Sequence, residues 1–288
     1  MHSGRQIGEG TASAPWAQPE EIEAFRRDGV VKLRQKFSHD WIDLLRSSVD
    51  QSFEQPSGNF TRHTKDPEAP GYYEDFWAWS RYPGFEQFVR HSPSAPIAAA
   101  LMGAKRINLV MDNWFVREAG STSRPPFHHD ISYFDFTGTM CVLWLPLEPV
   151  SGENGITFVR GSHLWNKLFL RTRFADGHRS GDGAIEVNGE HYELTPDIDA
   201  DPASYDLVQF DLDLGDCLYF DMRTLHGSLS SVTPTETVRR YTLRMTAEDG
   251  MIRYRGDWAK EERAMVEAAG YGDGDPIDGD FFPTLWPA

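Results

Sequence analysis

His128 and Asp130 are separated by a single residue, and a third candidate ligand, His226, follows far along the chain. Residues i and i+2 of an extended segment point to the same side, so this imidazole and this carboxylate can bind one metal ion while His129 points away. A histidine from a distant strand would complete a set of two histidines and one carboxylate. Such a set leaves about three positions of an octahedral iron(II) ion open for a co-substrate and oxygen. The pattern therefore predicts a site that activates oxygen.

The segment that follows His226 carries the arginines that a dicarboxylic co-substrate would need. Arginine offers a permanently charged, bidentate partner for the distal carboxylate, which lysine matches poorly. Alternation along a strand puts Arg240, Thr242 and Arg244 on one face and Arg239, Tyr241 and Leu243 on the other. The more apolar face is the better candidate for the interior, so the pattern favours Arg239, with Arg240 as the alternative.

The composition argues against several classes of function. The 288-residue chain has a formal net charge of -16, which disfavours nucleic acid and anionic membrane surfaces as partners. The two cysteines, Cys141 and Cys217, form no Cys-x-x-Cys pair, which argues against a disulfide scaffold or a structural zinc site. No apolar run reaches the roughly 18 residues of a transmembrane helix, and residues 1–14 lack the apolar core of a signal peptide. We therefore expect a cytoplasmic monomer or homodimer that acts on a small molecule.

The order of patterns along the chain predicts one domain with a β-rich body. Residues 1–16 are rich in Gly, Ser and Ala and are expected to be a disordered tail, whereas 17–288 form the domain. Apolar spacing predicts helices after Pro19 and after Ser38. Strand-like runs follow at 107–117, 131–135, 139–147, 155–159, 207–211, 216–221 and 238–246. Many short strands with turn signals predict a mainly β sandwich or barrel with flanking α-helices.

From residue 19 onward the chain resembles the phytanoyl-CoA dioxygenase family of iron(II)- and 2-oxoglutarate-dependent oxygenases. The motifs that carry this resemblance are Ile22-Glu-Ala-Phe25…Asp28-Gly29, Phe127-His128-His129-Asp130, Trp144-Leu-Pro-Leu-Glu148, Asn154-Gly155…Gly161-Ser162-His163, Gly215-Asp216 and His226-Gly227-Ser228. Each motif alone is weak, but together they are specific. The resemblance implies a double-stranded β-helix, the cupin-like jelly roll, with iron bound by His128, Asp130 and His226.

The resemblance also bears on the co-substrate. Family members usually carry an arginine eleven residues after the distal histidine, but position 237 is threonine here. A turn longer by two residues would bring Arg239 to that place and preserve strand parity. The resemblance thus implies that Arg239, or alternatively Arg240, holds the distal carboxylate of 2-oxoglutarate together with Ser228. Arg117 is a further candidate for contact with this co-substrate or with an anionic substrate.

The activity implied by the resemblance uses iron(II), 2-oxoglutarate and O2, with ascorbate as a supporting reductant. Oxidative decarboxylation of 2-oxoglutarate yields succinate and CO2, and the substrate is hydroxylated. Asp130 favours hydroxylation over halogenation, because related halogenases lack this carboxylate so that chloride can bind the iron. Desaturation or cyclisation with the same cofactors is one alternative. A non-catalytic jelly-roll protein that keeps its metal for structure is the other.

The substrate pocket is expected to be aromatic. Candidate lining residues are Tyr72, Tyr73, Phe76, Trp77, Trp114, Tyr133 and Phe134. Most aromatic side chains simply belong to the core, so the pattern does not separate pocket from packing. Arg117 and Arg124 precede the metal strand and are placed to meet an anion, although a solvated role suits Arg124 equally well. A terpenoid, an amino-acid derivative or an acid is the expected substrate class.

Overall fold

The structure, a computed structural model, describes residues 16–171, 185–229, 233–256 and 259–287. The helices are α1 (Pro19–Asp28), α2 (His39–Glu54), α3 (Pro83–His91), α4 (Ser94–Met102) and α5 (Lys260–Ala268). The strands are β1 (Val30–Leu33), β2 (Thr61–Arg62), β3 (Tyr72–Phe76), β4 (Ile107–Arg117), β5 (Phe136–Thr137), β6 (Met140–Pro146), β7 (Thr157–Val159), β8 (Leu168–Phe169), β9 (Ile185–Val187), β10 (Glu190–Glu193), β11 (Leu207–Val208), β12 (Cys217–Asp221), β13 (His226–Gly227), β14 (Val238–Thr246), β15 (Met251–Ile252) and β16 (Thr284–Trp286). Within this part of the chain, no helix combines the length and the apolarity needed to span a bilayer. Of the predicted disordered tail, residues 1–15 lie outside the described residues.

The larger layer is an antiparallel sheet in the order β1-β12-β6-β14-β4-β3-β2, with β16 beside β4. Strand β6 is buried along its whole length and apolar on both faces, as expected for a strand covered on both sides. In β14, Val238 lies opposite Arg117 and Arg240 lies opposite Phe115. Directly opposed residues point to the same face. This register therefore puts Arg117 and Arg240 on one side of the sheet.

Helices α1 to α4 contribute to the core on the other side of the sheet. Buried positions of α2 recur at three- and four-residue steps, which gives the apolar stripe of a helix that packs on a sheet. The ring of Phe85 in α3 stacks on Tyr241 of β14, with ring centroids 4.9 Å apart. The face of β14 that carries Tyr241 and Leu243 is thus covered by the side chains of this core.

A smaller antiparallel sheet, in the order β11-β7-β13, faces the side of the main sheet that carries Arg240. Its contact with the main sheet includes Phe158 of β7, whose ring centroid lies 5.1 Å from that of Phe220 in β12. A second apolar core fills the space between the two sheets. Two facing antiparallel sheets of this kind form a jelly roll, so the predicted mainly β fold class is confirmed.

The prediction of a strand at 131–135 is wrong. Asp130–Ser132 forms a 3-10 turn, and the strand β5 begins only at Phe136. The buried guanidinium of Arg255 stabilises this conformation, because one of its nitrogens lies within hydrogen-bond distance of three backbone carbonyls of the segment. These carbonyls belong to Ile131 at 2.7 Å, Phe134 at 2.9 Å and Phe136 at 2.6 Å.

The polar segment 171–205 contains the hairpin of β9 and β10. Asn188 and Gly189 form its turn with positive φ values of 49° and 77°. Two consecutive residues with positive φ match the right-handed twist of a two-residue hairpin, and Asn-Gly adopts them readily. Residues 172–184 of this segment lie outside the described residues.

Candidate active site

Backbone pairing brings the two candidate histidine ligands together. His128 and His226 face each other in an antiparallel bridge, with N–H···O distances of 2.9 and 2.8 Å between their backbones. Gly227 makes this approach possible, because a Cβ at that position would lie 2.8 Å from the backbone N and Cα of Phe127. Asp130 then enters the same space from the first residue of the 3-10 turn.

The three side chains form a compact and buried donor set. One ligand atom each from His128, Asp130 and His226 lies within 4.8 Å of the others. Asp130 Oδ1 is 3.3 Å from His128 Nε2 and 3.5 Å from His226 Nε2. The two Nδ1 atoms face the carbonyl oxygens of Pro126 at 2.7 Å and Thr224 at 2.9 Å. When Nδ1 donates its proton to a carbonyl, Nε2 keeps its lone pair for a metal, so this donor set fits a divalent cation.

The second oxygen of Asp130 is held by Arg244. The guanidinium donates from Nε and Nη2 to Asp130 Oδ2, at 2.9 and 2.8 Å. Burial alone would raise the pKa of Asp130, but Arg244 and the two histidines outweigh burial and hold it below its ordinary value. Burial, and then the neighbouring His128, lower the pKa of His226 to about 3. At neutral pH the site therefore offers an ionised carboxylate and a neutral imidazole, which are the protonation states that bind metal.

Behind Arg244 lies a chain of hydrogen bonds that crosses two strands. Arg244 Nη1 donates to Asn113 Oδ1, and Asn113 Nδ2 donates to Glu74 Oε1 at 2.6 Å. The other oxygen of Glu74 lies 2.8 Å from His63 Nε2. A carboxylate can only accept hydrogen bonds, so Glu74 faces the amide nitrogen of Asn113. The amide oxygen of Asn113 is therefore directed towards Arg244. The position of Asp130 is thus supported through three further side chains.

A cavity that opens to solvent adjoins the donor set. The lining residues are Tyr72, Phe115, Arg117, Pro125, His128, Asp130, Val142, Trp144, Asn154, Gly155, Ile156, Phe220, His226, Ser228, Arg240, Thr242 and Arg244. The predicted Ser228, Arg117 and Arg240 are therefore in the same cavity as the candidate ligands.

The structure does not bring Arg239 to the cavity. Its guanidinium pairs instead with Glu148 at 2.8 Å and with Asp50 at 2.7 Å. The more apolar face of β14 does point to the interior, as the prediction assumed. That face, however, packs on the helices rather than on the smaller sheet, so it is not the face next to the cavity. Arg240, the alternative, lies in the cavity, with its guanidinium carbon 5.2 Å from the centre of the Trp144 ring.

Strand parity also corrects the aromatic predictions. Trp114 is fully buried on the helical side, where its indole nitrogen donates to Ser52 Oγ at 2.8 Å. Tyr73 stacks on Phe60 on that same side, with centroids 5.8 Å apart. Their strand neighbours Tyr72 and Phe115 are the residues that line the cavity. Neither Trp114 nor Tyr73 can therefore reach a ligand next to the candidate metal site.

Of the remaining aromatic predictions, Tyr133 and Phe134 come near the donor set without lining the cavity. The Tyr133 ring centroid lies 5.2 Å from that of His128, and the guanidinium carbon of Arg244 lies 5.3 Å from the centre of the Phe134 ring. Trp77 donates to the Val110 carbonyl at 3.0 Å and is not among the lining residues.

Sequence reasoning gave no role to several residues that line the cavity. Arg244 is one of them, although its parity with Arg240 was a usable signal. The other lining residues to which it gave no role include Phe115, Val142, Trp144, Ile156, Phe220 and Thr242. Arg124, at the edge of this region, pairs with Asp199 at 3.0 Å.

A family comparison identifies this architecture. The family model described as phytanoyl-CoA dioxygenase matches residues 25–240, which include both histidines, Asp130 and Arg240. The chain belongs to the phytanoyl-CoA dioxygenase family. Enzymes of this family depend on iron(II) and 2-oxoglutarate and use O2, and the chain is an oxygenase of this type. No curated protein matches the sequence.

Solved structures support the same fold. The carbocyclase SnoK from nogalamycin biosynthesis, a non-haem α-ketoglutarate-dependent enzyme, is 20% identical, with a TM-score of 0.70 over 93% of this chain and 96% of that chain. The epimerase SnoN, in complex with Fe3+, α-ketoglutarate and nogalamycin RO, is also 20% identical, with a TM-score of 0.70 over 92% and 97%. EctD from S. alaskensis, with 2-oxoglutarate and 5-hydroxyectoine, is 16% identical, with a TM-score of 0.63 over 86% and 82%.

Proposed function

We propose that His128 Nε2, Asp130 Oδ1 and His226 Nε2 bind the iron of this oxygenase. The observation that carries the proposal is the convergence of these three buried ligand atoms within 4.8 Å of one another. The set is open on one side, towards the cavity, as a site that must accept a co-substrate and oxygen requires. A purely structural metal site would more often be closed by four protein ligands. When bound, the iron supplies the oxygen activation coupled to decarboxylation of 2-oxoglutarate.

The protein's own residues would set the geometry of this site. The carbonyls of Pro126 and Thr224 hold both imidazole rings with Nε2 towards the metal. Arg244 occupies Asp130 Oδ2, which leaves Oδ1 as the single ligand oxygen and so keeps the remaining metal positions open.

Arg240 and Ser228 are the proposed partners of the distal carboxylate of 2-oxoglutarate. Both line the cavity, and Arg240 Nε is buried without a hydrogen-bond partner. The Trp144 ring beneath the guanidinium restricts its orientation. A carboxylate would satisfy the open donor of Arg240 and accept a further hydrogen bond from the Ser228 hydroxyl. Arg239 is not proposed for this role, because its donors are already bound to Glu148 and Asp50.

Hydroxylation of a small molecule is the proposed reaction. The carboxylate of Asp130 occupies the position that a halogenase would keep free for chloride, and apolar side chains such as Val142, Ile156 and Phe220 line the cavity. The second candidate is cyclisation or desaturation with the same cofactors. It is favoured by the structural likeness to a carbocyclase and to an epimerase. A product heavier than its substrate by one oxygen atom distinguishes hydroxylation from both.

We further propose that the enzyme is a cytoplasmic monomer or homodimer whose domain comprises residues 17–288. Both ends of the described chain join one sheet, since β1 pairs with β12 and β16 pairs with β4, which supports a single domain. Cys141 and Cys217 are free and buried, in keeping with a reducing compartment. Size-exclusion chromatography of the full chain tests the oligomeric state.

The visible spectrum under anaerobic conditions tests the site. Addition of iron(II) and 2-oxoglutarate should produce a weak metal-to-ligand charge-transfer band. His226→Ala and Asp130→Ala should lose the band and succinate production, because each removes one of three ligands. His191→Ala, at an exposed histidine, is the matched control and should keep both.

Titration with 2-oxoglutarate also distinguishes the roles of the neighbouring residues Arg239 and Arg240. Arg240→Met should weaken 2-oxoglutarate binding roughly 10- to 100-fold, the loss expected for a charged hydrogen bond. Arg239→Met should leave the affinity unchanged, since its guanidinium is bound elsewhere. If the unmodified enzyme binds iron but shows no band, the proposed binding of 2-oxoglutarate at the iron is refuted. An equal effect of both variants would refute the assignment of Arg240.

A further inference from the structure

The cavity contains more positive charge than its own residues neutralise. Three of its lining residues are arginines, whereas Asp130 is its one lining carboxylate among the described residues. That carboxylate forms an ion pair with Arg244. In the described part of the chain, no carboxylate forms an ion pair with Arg117 or Arg240. Two guanidinium groups of this cavity therefore lack an anionic partner among the residues that the structure describes.

Arg117, one of these two groups, is a buried residue. Its side chain is only 5% exposed, and its Nε is buried without a hydrogen-bond partner. Nη2 donates to the carbonyl oxygen of Ser121 at 2.8 Å, which anchors one end of the guanidinium. Arg117 lies opposite Tyr72 in β3 and opposite Val238 in β14, so it stands at the end of the wall that Tyr72 and Phe115 form.

The energetic consequence is an unmatched buried cation. Burial, and then the positive charge of Arg240, lower the pKa of Arg117. An arginine nevertheless stays protonated, because its pKa begins near the top of the scale. A buried charge without a counter-ion costs several kcal/mol. Sites that tolerate such a cost are commonly sites where a ligand supplies the opposite charge.

The co-substrate accounts for only one of the two cations. 2-Oxoglutarate has two carboxylates, of which one would bind at the metal and the other at Arg240. We propose that Arg117 binds an anionic oxygen group of the substrate, a carboxylate or a phosphate. This inference rests on the proposed function, because it assigns Arg240 to the co-substrate first.

The walls of the cavity indicate the rest of such a substrate. Apart from its arginines and the candidate metal ligands, the lining is mostly apolar or aromatic, with Phe115, Val142 and Phe220 among its members. The expected substrate is therefore a compact apolar or aromatic molecule that carries one acidic group. Arg117 would bind that group and so set the distance between the rest of the molecule and the iron.

The first experiment asks which ligand uses Arg117. The dissociation constant of 2-oxoglutarate is measured from the anaerobic charge-transfer band of the iron(II) enzyme and of its variants Arg117→Met, Arg117→Lys and Arg240→Met. Arg117→Met should keep the affinity within about threefold, whereas Arg240→Met should lose roughly 10- to 100-fold. Iron binding and circular dichroism show that each variant is folded. The metal-free Arg117→Met protein should also be at least as stable as the parent, because it loses an unmatched charge.

The second experiment uses a matched pair of probes, benzoate and benzamide, which have the same shape but differ in charge. Binding of each to the anaerobic iron(II)·2-oxoglutarate enzyme is measured by calorimetry. Benzoate should bind at least about tenfold more tightly than benzamide, Arg117→Met should abolish this preference, and Arg117→Lys should keep part of it.

The outcomes separate the possibilities. If Arg117→Met weakens 2-oxoglutarate binding as much as Arg240→Met does, both arginines hold the co-substrate and the inference is overturned. Equal binding of benzoate and benzamide also overturns it, as does a marked loss of stability in Arg117→Met, which would make Arg117 a structural cation. If neither variant weakens 2-oxoglutarate binding, the proposed co-substrate assignment fails, and the probe experiment alone decides the role of Arg117. If Arg117→Met alone weakens it, Arg117 holds the co-substrate, and both the assignment and the inference are overturned.

Discussion

Replacement of Arg244 by methionine should destabilise the metal-free protein more than any other single change at the site. Arg244 and Asp130 are 8% and 3% exposed, and their two contacts are 2.9 and 2.8 Å long. Removal of one partner from a buried ion pair costs about 3–5 kcal/mol, because the other charge stays buried without compensation. The neighbouring His226 does not replace the lost cation, because burial and then His128, the two largest causes that lower its pKa, remain after Arg244 is removed.

The assay is urea unfolding of the metal-free protein, in which the slope of the transition must remain constant for the comparison to hold. Arg239→Met is the matched control. Arg239 is half-buried and pairs with the exposed Asp50 and with Glu148, so its loss should cost about 1 kcal/mol or less. Arg244→Lys should recover only part of the loss, because a lysine ammonium does not reproduce two fixed donors to one carboxylate oxygen.

A double-mutant cycle decides whether the ion pair itself carries the effect. The double variant Asp130→Asn/Arg244→Met removes both charges and should be more stable than Arg244→Met alone, with an interaction energy of about 1–3 kcal/mol. In the metal-loaded protein, Arg244→Met should also weaken iron binding roughly 10- to 100-fold, as loss of a group that orients a metal ligand does. An interaction energy near zero, or unchanged iron affinity, would refute the reasoning.

Two further predictions concern residues outside the cavity. Gly227→Ala should weaken iron binding and cost about 1–3 kcal/mol, since its Cβ would meet the backbone of Phe127 at 2.8 Å, whereas Gly58→Ala, with open space around it, should cost almost nothing. Burial raises the pKa of Asp112 to about 7, and Tyr241 and the Ala78 amide both donate to it. Because this folded-state pKa is raised, the stability that the neutral acid contributes is complete below the unfolded value of 3.8 and is lost as pH rises towards about 7. Relative to Asp112→Asn, the parent should therefore lose about 2–3 kcal/mol between roughly pH 5 and pH 7, and a constant difference in urea unfolding would contradict the assignment.

The spacing of residue types along the chain was sufficient to predict which side chains the structure brings together as candidate ligands. His128 and Asp130 come from one short segment, so their proximity depends only on local geometry. The reason given for it was only partly correct, because Asp130 begins a 3-10 turn rather than continuing a strand. That turn depends on Arg255, which approaches from more than a hundred residues away. A contact between residues so far apart in the sequence produces no periodic residue pattern in the segment whose conformation it stabilises.

The choice between Arg239 and Arg240 shows why the rest was harder to predict. Alternation correctly sorted β14 into two faces, but both faces are interior in a sheet that has helices on one side and a second sheet on the other. Hydrophobicity then identifies the side with the drier core, which is the helical side, and the cavity lies on the opposite side because ligands need polar groups. In a jelly roll the face with arginine, threonine and arginine at alternate positions is therefore the better candidate for the site. The same rule, applied to β4, selects Asn113, Phe115 and Arg117 and rejects Trp114, as the structure has them.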